Sequence, residues 1–131
     1  MTVQEGGCMC GAVRFRAEGE PVRVGICHCT TCRRNSGAGY SATVVFLRDK
    51  VTIEGRAASY ASSEQGRRCF CPTCGSPVYS TWGRSEEIDL SLGAFDDPRA
   101  FAPTYELWTS ERVPWLPAMP DLEHFERDRE G

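Results

Sequence analysis

The sequence predicts a mainly β domain whose sheets are stapled by zinc, with one or two short helical turns. Three observations carry this. Apolar and polar residues alternate at period two through much of the chain, and eight cysteines fall into three tight groups. Leu, Ile, Val and Phe together supply only 24 of 131 residues, under the roughly one-fifth share that marks a highly charged chain as disordered. A formal net charge of only -3 does not fit disorder. Something besides hydrocarbon must help hold the fold, and the cysteines are the candidate. The length suits a single domain over 1–131 with a core at about 5–125.

Val13, Phe15 and Ala17 face one way and Arg14 and Arg16 the other, the signature of a half-buried strand. Val22, Val24 and Ile26 form another and lead into the second cysteine group. Residues 40–47 are a Tyr/Val/Phe-rich run; Val51 and Ile53 follow the polar Arg48-Asp49-Lys50 turn, which reads as a hairpin. Residues 77–82, and Ile88, Leu90 and Leu92, give two more strands, with Pro77 tolerable only at a strand start. Helical signals are short: residues 30–35, and Asp96-Asp97-Pro98, where Asp caps a turn and Pro sits early in it. Pro103, Pro114, Pro117 and Pro120 make 113–120 irregular coil, anchored in the core by Trp115 and Leu116. Tyr79, Trp82 and Trp108 read as core or pocket lining. Residues 126–131 read as a frayed charged tail, and His124 as a surface residue without a partner.

A sequence pI near 5.4 provides no broad cationic surface, so nucleic acid is not expected as a partner. The start, MTVQEGGCMC, has no positive segment followed by an apolar stretch, and no run of 18 apolar residues occurs, so neither a signal peptide nor a membrane span is expected. The expected compartment is the cytoplasm. Cytosolic thiols are kept reduced, which makes closely spaced cysteines metal ligands rather than disulfides.

The three groups are Cys8-Met9-Cys10-Gly11, Cys27-His28-Cys29-Thr30-Thr31-Cys32 and Cys69-Phe70-Cys71-Pro72-Thr73-Cys74-Gly75. A C-x-x-C turn brings two sulfurs to one ion, and a following glycine allows the positive φ that aims backbone N–H groups at them. Several pairings are open. The two groups followed by glycine are the natural partners: Cys8, Cys10, Cys71 and Cys74 close a structural four-cysteine site. Cys27, Cys29 and Cys32 then remain as three ligands with an open fourth position, the arrangement of a catalytic zinc. Two Zn2+ ions per chain are expected, one structural and one catalytic. His28 points away from its neighbouring cysteines, which suits hydrogen bonding or packing rather than ligation. Cys69, if its strand is regular, lies on the side of Cys71 and is a possible further metal ligand, which would close the open position. Arg33 and Arg34 are candidates to bind a substrate carboxylate, and Ser36, Gly37 and Gly39 form a loop that a ligand can approach closely.

These motifs, G-C-M-C-G, C-H-C-x-x-C-R with a glycine at 37, F-C-x-x-C-G and V-P-W-L near the end, resemble the glutathione-dependent formaldehyde-activating enzyme family, to which centromere protein V is related. The resemblance runs from Gly7 to about Phe125 and implies the zinc-bearing fold called a β-tent. It implies structural zinc on Cys8, Cys10, Cys71 and Cys74 and catalytic zinc on Cys27, Cys29 and Cys32. Cys69 departs from the family pattern. The implied activity joins glutathione to formaldehyde, carbon–sulfur lyase chemistry in the reverse sense, with a small thiol and a small aldehyde as partners. The chemistry answers a physical need, since a free thiol with pKa about 8.5 is only a few per cent ionised at neutral pH. Arg33, Arg34, Arg67 or Arg68 is expected to anchor the carboxylates of glutathione. Two other classes compete: a non-catalytic zinc-stabilised binding module, and a thiol sensor that releases zinc on oxidation.

Overall fold

The structure is a computed structural model that describes residues 2–129. Its strands are β1 (Val3–Gly7), β2 (Arg14–Glu18), β3 (Arg23–Cys27), β4 (Ser41–Leu47), β5 (Val51–Glu54), β6 (Ala58–Ala61), β7 (Gly66–Phe70), β8 (Pro77–Trp82), β9 (Glu87–Ser91), β10 (Tyr105–Leu107) and β11 (Glu123–His124). One helix, α1 (Thr30–Ser36), lies between β3 and β4. The strands form two open sheets, β1-β2-β5 and β11-β10-β3-β4-β9-β8-β7-β6. The mainly β expectation is thus met.

Alternation decides what each face of the large sheet does. Val24, Val44, Phe46, Ile88, Leu90 and Val78 turn inward and meet Val13, Phe15 and Ala17, the alternating set of the N-terminal hairpin. Phe46 and Leu90 are fully buried, each contributing about 1.5–3 kcal/mol by leaving water. Phe95 closes the core against Phe15, edge to face with centroids 4.9 Å apart. Residues of the opposite parity, among them Arg23, Thr43, Glu87 and Asp89, face a cavity on the other side. Polar groups on this second face are only partly exposed and are held by bonds to one another, Arg23 to Glu87 and the Trp82 indole to Asp89.

Three expectations are corrected. Residues 48–53 do not turn β4 back on itself; Arg48–Lys50 is a 3-10 turn that carries the chain to the other sheet, where β5 pairs with β2 through Phe15 and Ile53. Both edges of β4 are taken by β3 and β9, so β5 must satisfy its backbone groups elsewhere. Trp115 does not anchor the core: it is 73 % exposed, with its ring edge over Gly39. The charged end is tied down through residue 127, since the amides of Trp108, Thr109 and Ser110 donate to the carbonyls of Arg127, Phe125 and Glu126 at 2.9, 3.0 and 3.3 Å. Of the tail expected at 126–131, residues 130 and 131 lie outside the described residues.

The helix and the Asp97 turn form where the caps direct. The Cys29 sulfur accepts from the Cys32 amide at 3.4 Å at the start of α1, and Gly37 ends it at φ 73°. Asp97 accepts from the Arg99 amide at 3.2 Å over the Pro98–Ala100 turn.

Candidate functional site

The N-terminal hairpin and the turn after β7 each present a sulfur pair, and the two pairs meet. Cys8, Cys10, Cys71 and Cys74 place their sulfurs within 4.8 Å of one another, and the Cys8–Cys10 and Cys10–Cys71 separations are both 3.7 Å. A tetrahedron of Zn–S bonds of about 2.3 Å requires sulfurs about 3.8 Å apart, so the donor set fits zinc. Backbone amides already point at these sulfurs: Val13 donates to Cys8 at 3.2 Å and Thr73 to Cys71 at 3.3 Å. Ser76 ties the pairs together, with its hydroxyl oxygen accepting from the Met9 amide at 3.1 Å and lying 3.2 Å from the Cys74 sulfur. The Ser76 side chain and amide hold the Cys74 thiol down at about 5, which favours its thiolate form.

Cys27, Cys29 and Cys32 make the second group, again with sulfurs within 4.8 Å of one another. Cys27 ends β3, Cys29 caps α1 and Cys32 lies one turn into it, so a strand-to-helix junction converges the three. Bonds from Cys27 and then Cys32 pull the Cys29 thiol far below its usual value, while Cys29 and then Cys32 push the Cys27 thiol up. The three thiols thus compete for negative charge at close range, with Cys29 favoured to carry it, and a cation would let all three ionise.

Cys69 joins neither group among the described residues. β7 ends at Phe70, so Cys71 lies past the strand at the head of the turn over 72–74, while β8 shifts register against β7 between Cys69 and Phe70. Strand periodicity therefore does not carry from Cys69 to Cys71. Cys69 instead sits buried opposite Tyr79, and burial pushes its thiol up despite the Tyr79 hydrogen bond. The fourth position of the triad is left without a protein sulfur.

The triad lies at one end of a cavity of about 350 Å³. Arg23 and Glu87 line it and form a two-point pair at 2.7 and 3.1 Å. Asp89 accepts from the Trp82 indole at 3.0 Å, and burial pushes its carboxyl up. Tyr105 also lines the cavity; its ring lies so close over Gly25 that a Cβ there would collide with Cζ. Trp108, held in the left-handed region at φ 56°, also borders the cavity, a strained conformation of the kind found at functional sites. Arg33 and Arg34 do not line it. Arg33 bonds Thr30 at 3.3 Å, and Arg34 borders a neighbouring hollow with Tyr60 and Phe70. Arg68 and Arg129 face the triad cavity instead. Arg129 had no signal in the sequence beyond charge.

The sequence profile of the glutathione-dependent formaldehyde-activating enzyme family matches residues 3–111. The chain belongs to that family. It is similar to an uncharacterized lyase of Schizosaccharomyces pombe, 33% identical over 79 residues that cover 60% of this chain and 58% of the relative. A Halomonas elongata protein that carries the name of a glutathione-dependent formaldehyde-activating enzyme is 32% identical over 84 residues, covering 57% of this chain and 54% of its own. The chain thus spans less than two thirds of the length of these curated relatives. A Rhodobacter sphaeroides protein of known crystal structure shares the fold, with TM-score 0.60 and 24% identity over 73% of this chain and 93% of that one.

This family member also carries a buried polar cluster that no sequence motif marks. His28 and Glu106 are both fully buried, with His28 Nε2 2.8 Å from Glu106 Oε1. Arg112 donates to Glu106 Oε2 at 3.1 Å, and His124 Nδ1 lies 2.6 Å from the same oxygen. His124 is therefore not partnerless, as its isolation in the sequence suggested. Burial pushes the Glu106 carboxyl up, but the His28 bond, the Arg112 charge and the His124 bond outweigh it and hold it below its ordinary value. His28 turns away from its flanking cysteines as alternation requires and anchors the chain between two cysteines of the triad. Parallel pairing of β10 with β3 brings Glu106 beside Ile26, a contact between residues 80 apart that only the fold creates.

Proposed function

We propose that the protein is a zinc-dependent carbon–sulfur lyase-type enzyme that joins a small thiol such as glutathione to a small aldehyde such as formaldehyde. One observation carries this reading: the four-sulfur group is complete in itself, whereas the three-sulfur group opens on a cavity of about 350 Å³. Membership of the family and the names of the two relatives support it. In this reading Cys8, Cys10, Cys71 and Cys74 hold a structural ion and join the hairpin to the later strands of one β-tent domain. Cys27, Cys29 and Cys32 hold the second. Clusters of reduced thiols fit a reducing compartment, and we place the protein in the cytoplasm.

Zinc at the triad supplies Lewis acidity that keeps a thiol ionised at neutral pH. The chain's own residues do the rest. Sulfur attacks the aldehyde carbon, the carbon–sulfur bond forms, and the carbonyl π pair moves onto oxygen, which takes up the proton the thiol lost. Ser41, which pairs with Cys27 across β3 and β4, lines the same cavity, and its hydroxyl is the donor we assign to that oxygen. Arg68 and Arg129 supply the positive charge that a carboxylate-bearing thiol needs.

Ion counting combined with calorimetric titration of glutathione tests the reading in wild type and Cys29→Ser. Two ions, glutathione binding that vanishes with the triad ion, and faster S-(hydroxymethyl)glutathione formation by wild type are expected. A triad ion already saturated by four protein donors, or one that no thiol reaches, would leave a binding module in its place.

A further inference from the structure

The far end of the triad cavity carries its own chemistry. Cys27 pairs with Ser41 and Arg23 with Val45 along β3 and β4, and Val45 pairs with Asp89 on β9. Asp89 thus lies four residues, about 13 Å, along the sheet from the triad and two strands, about 10 Å, across it. All these positions share the parity that faces the cavity.

Two groups of opposite charge flank the Trp82 ring there. Asp89 accepts from the indole nitrogen, and the Arg68 guanidinium lies over the ring at 5.0 Å. Arg68 is steadied by one bond, from Nε to Ser62 at 3.1 Å. Nearby, Arg23 and Glu87 neutralise each other. Asp89 makes no ion pair among the described residues, although burial penalises its charge. A half-buried carboxylate that feels the Arg23 and Arg68 charges but is in ion-pair contact with neither, beside a guanidinium whose terminal nitrogens are free among the described residues, matches an α-amino acid head: ammonium toward Asp89, carboxylate toward Arg68.

We infer that Asp89 is a specificity-determining residue that reads a free α-ammonium group on the thiol substrate. The substrate class is then a thiol whose sulfur is separated from a zwitterionic amino-acid head by a γ-glutamyl-type spacer. Such a spacer puts ammonium and sulfur roughly 10 Å apart when extended. Adding a hydrogen bond of about 2.8 Å at one end and a metal–sulfur bond of about 2.3 Å at the other matches the cavity diagonal of about 16 Å. A thiol attached directly beside its ammonium group does not bridge the two ends. The inference rests on the proposed function, since it takes the triad as the seat of the sulfur.

The test compares glutathione with its des-amino analogue, glutaryl-cysteinyl-glycine, by calorimetry on metal-loaded wild type and Asp89→Asn, an isostere that still accepts from Trp82. Wild type is expected to prefer glutathione about tenfold to a hundredfold, the scale of a hydrogen bond between charged groups. Asp89→Asn is expected to bind both within about twofold of each other. Equal binding of the two thiols by wild type overturns the inference without needing the variant, as does a preference that survives in Asp89→Asn. The visible spectrum of cobalt-loaded protein separates the two levels. A spectrum perturbed by both thiols with equal affinity removes only the role of Asp89, whereas a spectrum that neither thiol changes removes the proposed function and the inference with it.

Discussion

Replacing Glu106 with alanine strips the buried cluster of its acceptor. The carboxylate is fully buried and receives His28, Arg112 and His124. Its loss leaves the fully buried His28 ring without its only partner among the described residues, because His28 Nδ1 has none. It also leaves the Arg112 guanidinium, 21% exposed, without its counter-charge. Breaking a buried charged pair from one side costs about 3–5 kcal/mol. At about 2.1 cal/mol/K of unfolding entropy per residue, the 131-residue chain loses about 3.6 °C per kcal/mol, so Tm falls by roughly 11–18 °C. Thermal unfolding followed by circular dichroism in excess zinc measures this, and ion counting at 25 °C shows whether the triad empties before the four-cysteine site. His124→Ala is the control: its side chain is 40% exposed, water replaces it at Glu106, and the cost is about 1 kcal/mol. If Glu106→Ala melts within about 3 °C of wild type, the cluster does not hold the triad loop and the reasoning fails.

Three further outcomes are expected. Cys74→Ser should unfold or insolubilise the protein, because a structural zinc contributes about 10–16 kcal/mol against a net stability of about 5–15 kcal/mol; Cys29→Ser should stay folded with one ion fewer, and equal destabilisation in denaturant titrations would contradict the division of roles. Gly25→Ala drives a methyl into the buried Tyr105 ring and should cost about 1–3 kcal/mol while narrowing the cavity; an unchanged Tm with unchanged glutathione binding would show that the ring yields freely. The Arg23 guanidinium beside Glu87 holds its carboxyl below the ordinary value. The unfolded state therefore binds the proton more readily, and the pair's contribution is present above about pH 4.5 and lost as pH falls through the lower folded value. Urea midpoints of Glu87→Gln should accordingly approach those of wild type as pH drops from about 6 to 3, and parallel curves would deny the linkage.

The sulfur chemistry and most of the strands were legible in the chain because both depend on short-range spacing. Period-two alternation locates β2, β3, β4, β8 and β9, and the spacing of Cys27, Cys29 and Cys32 brings their sulfurs together within one short segment. Contacts of long sequence separation were not legible. β5 reads as the partner of β4 until both edges of β4 prove occupied. Cys69 reads as a neighbour of Cys71 until β7 proves to end at Phe70, with Cys71 beyond the strand. Of the four arginines the sequence offers, Arg33, Arg34, Arg67 and Arg68, only Arg68 lines the triad cavity, and Arg129, which it did not offer, joins it there.

By itself the sequence determined a mainly β chain with two sulfur groups, since alternation and C-x-x-C spacing act within a few residues. Only the tertiary structure decided which groups share space with the triad: Asp89 and Arg68 at the far end of the cavity, and Glu106 behind His28. Those placements follow from strand order and register, which are set by burying the apolar parity of each strand. The polar parity is carried along to whatever face remains, and the site is assembled there.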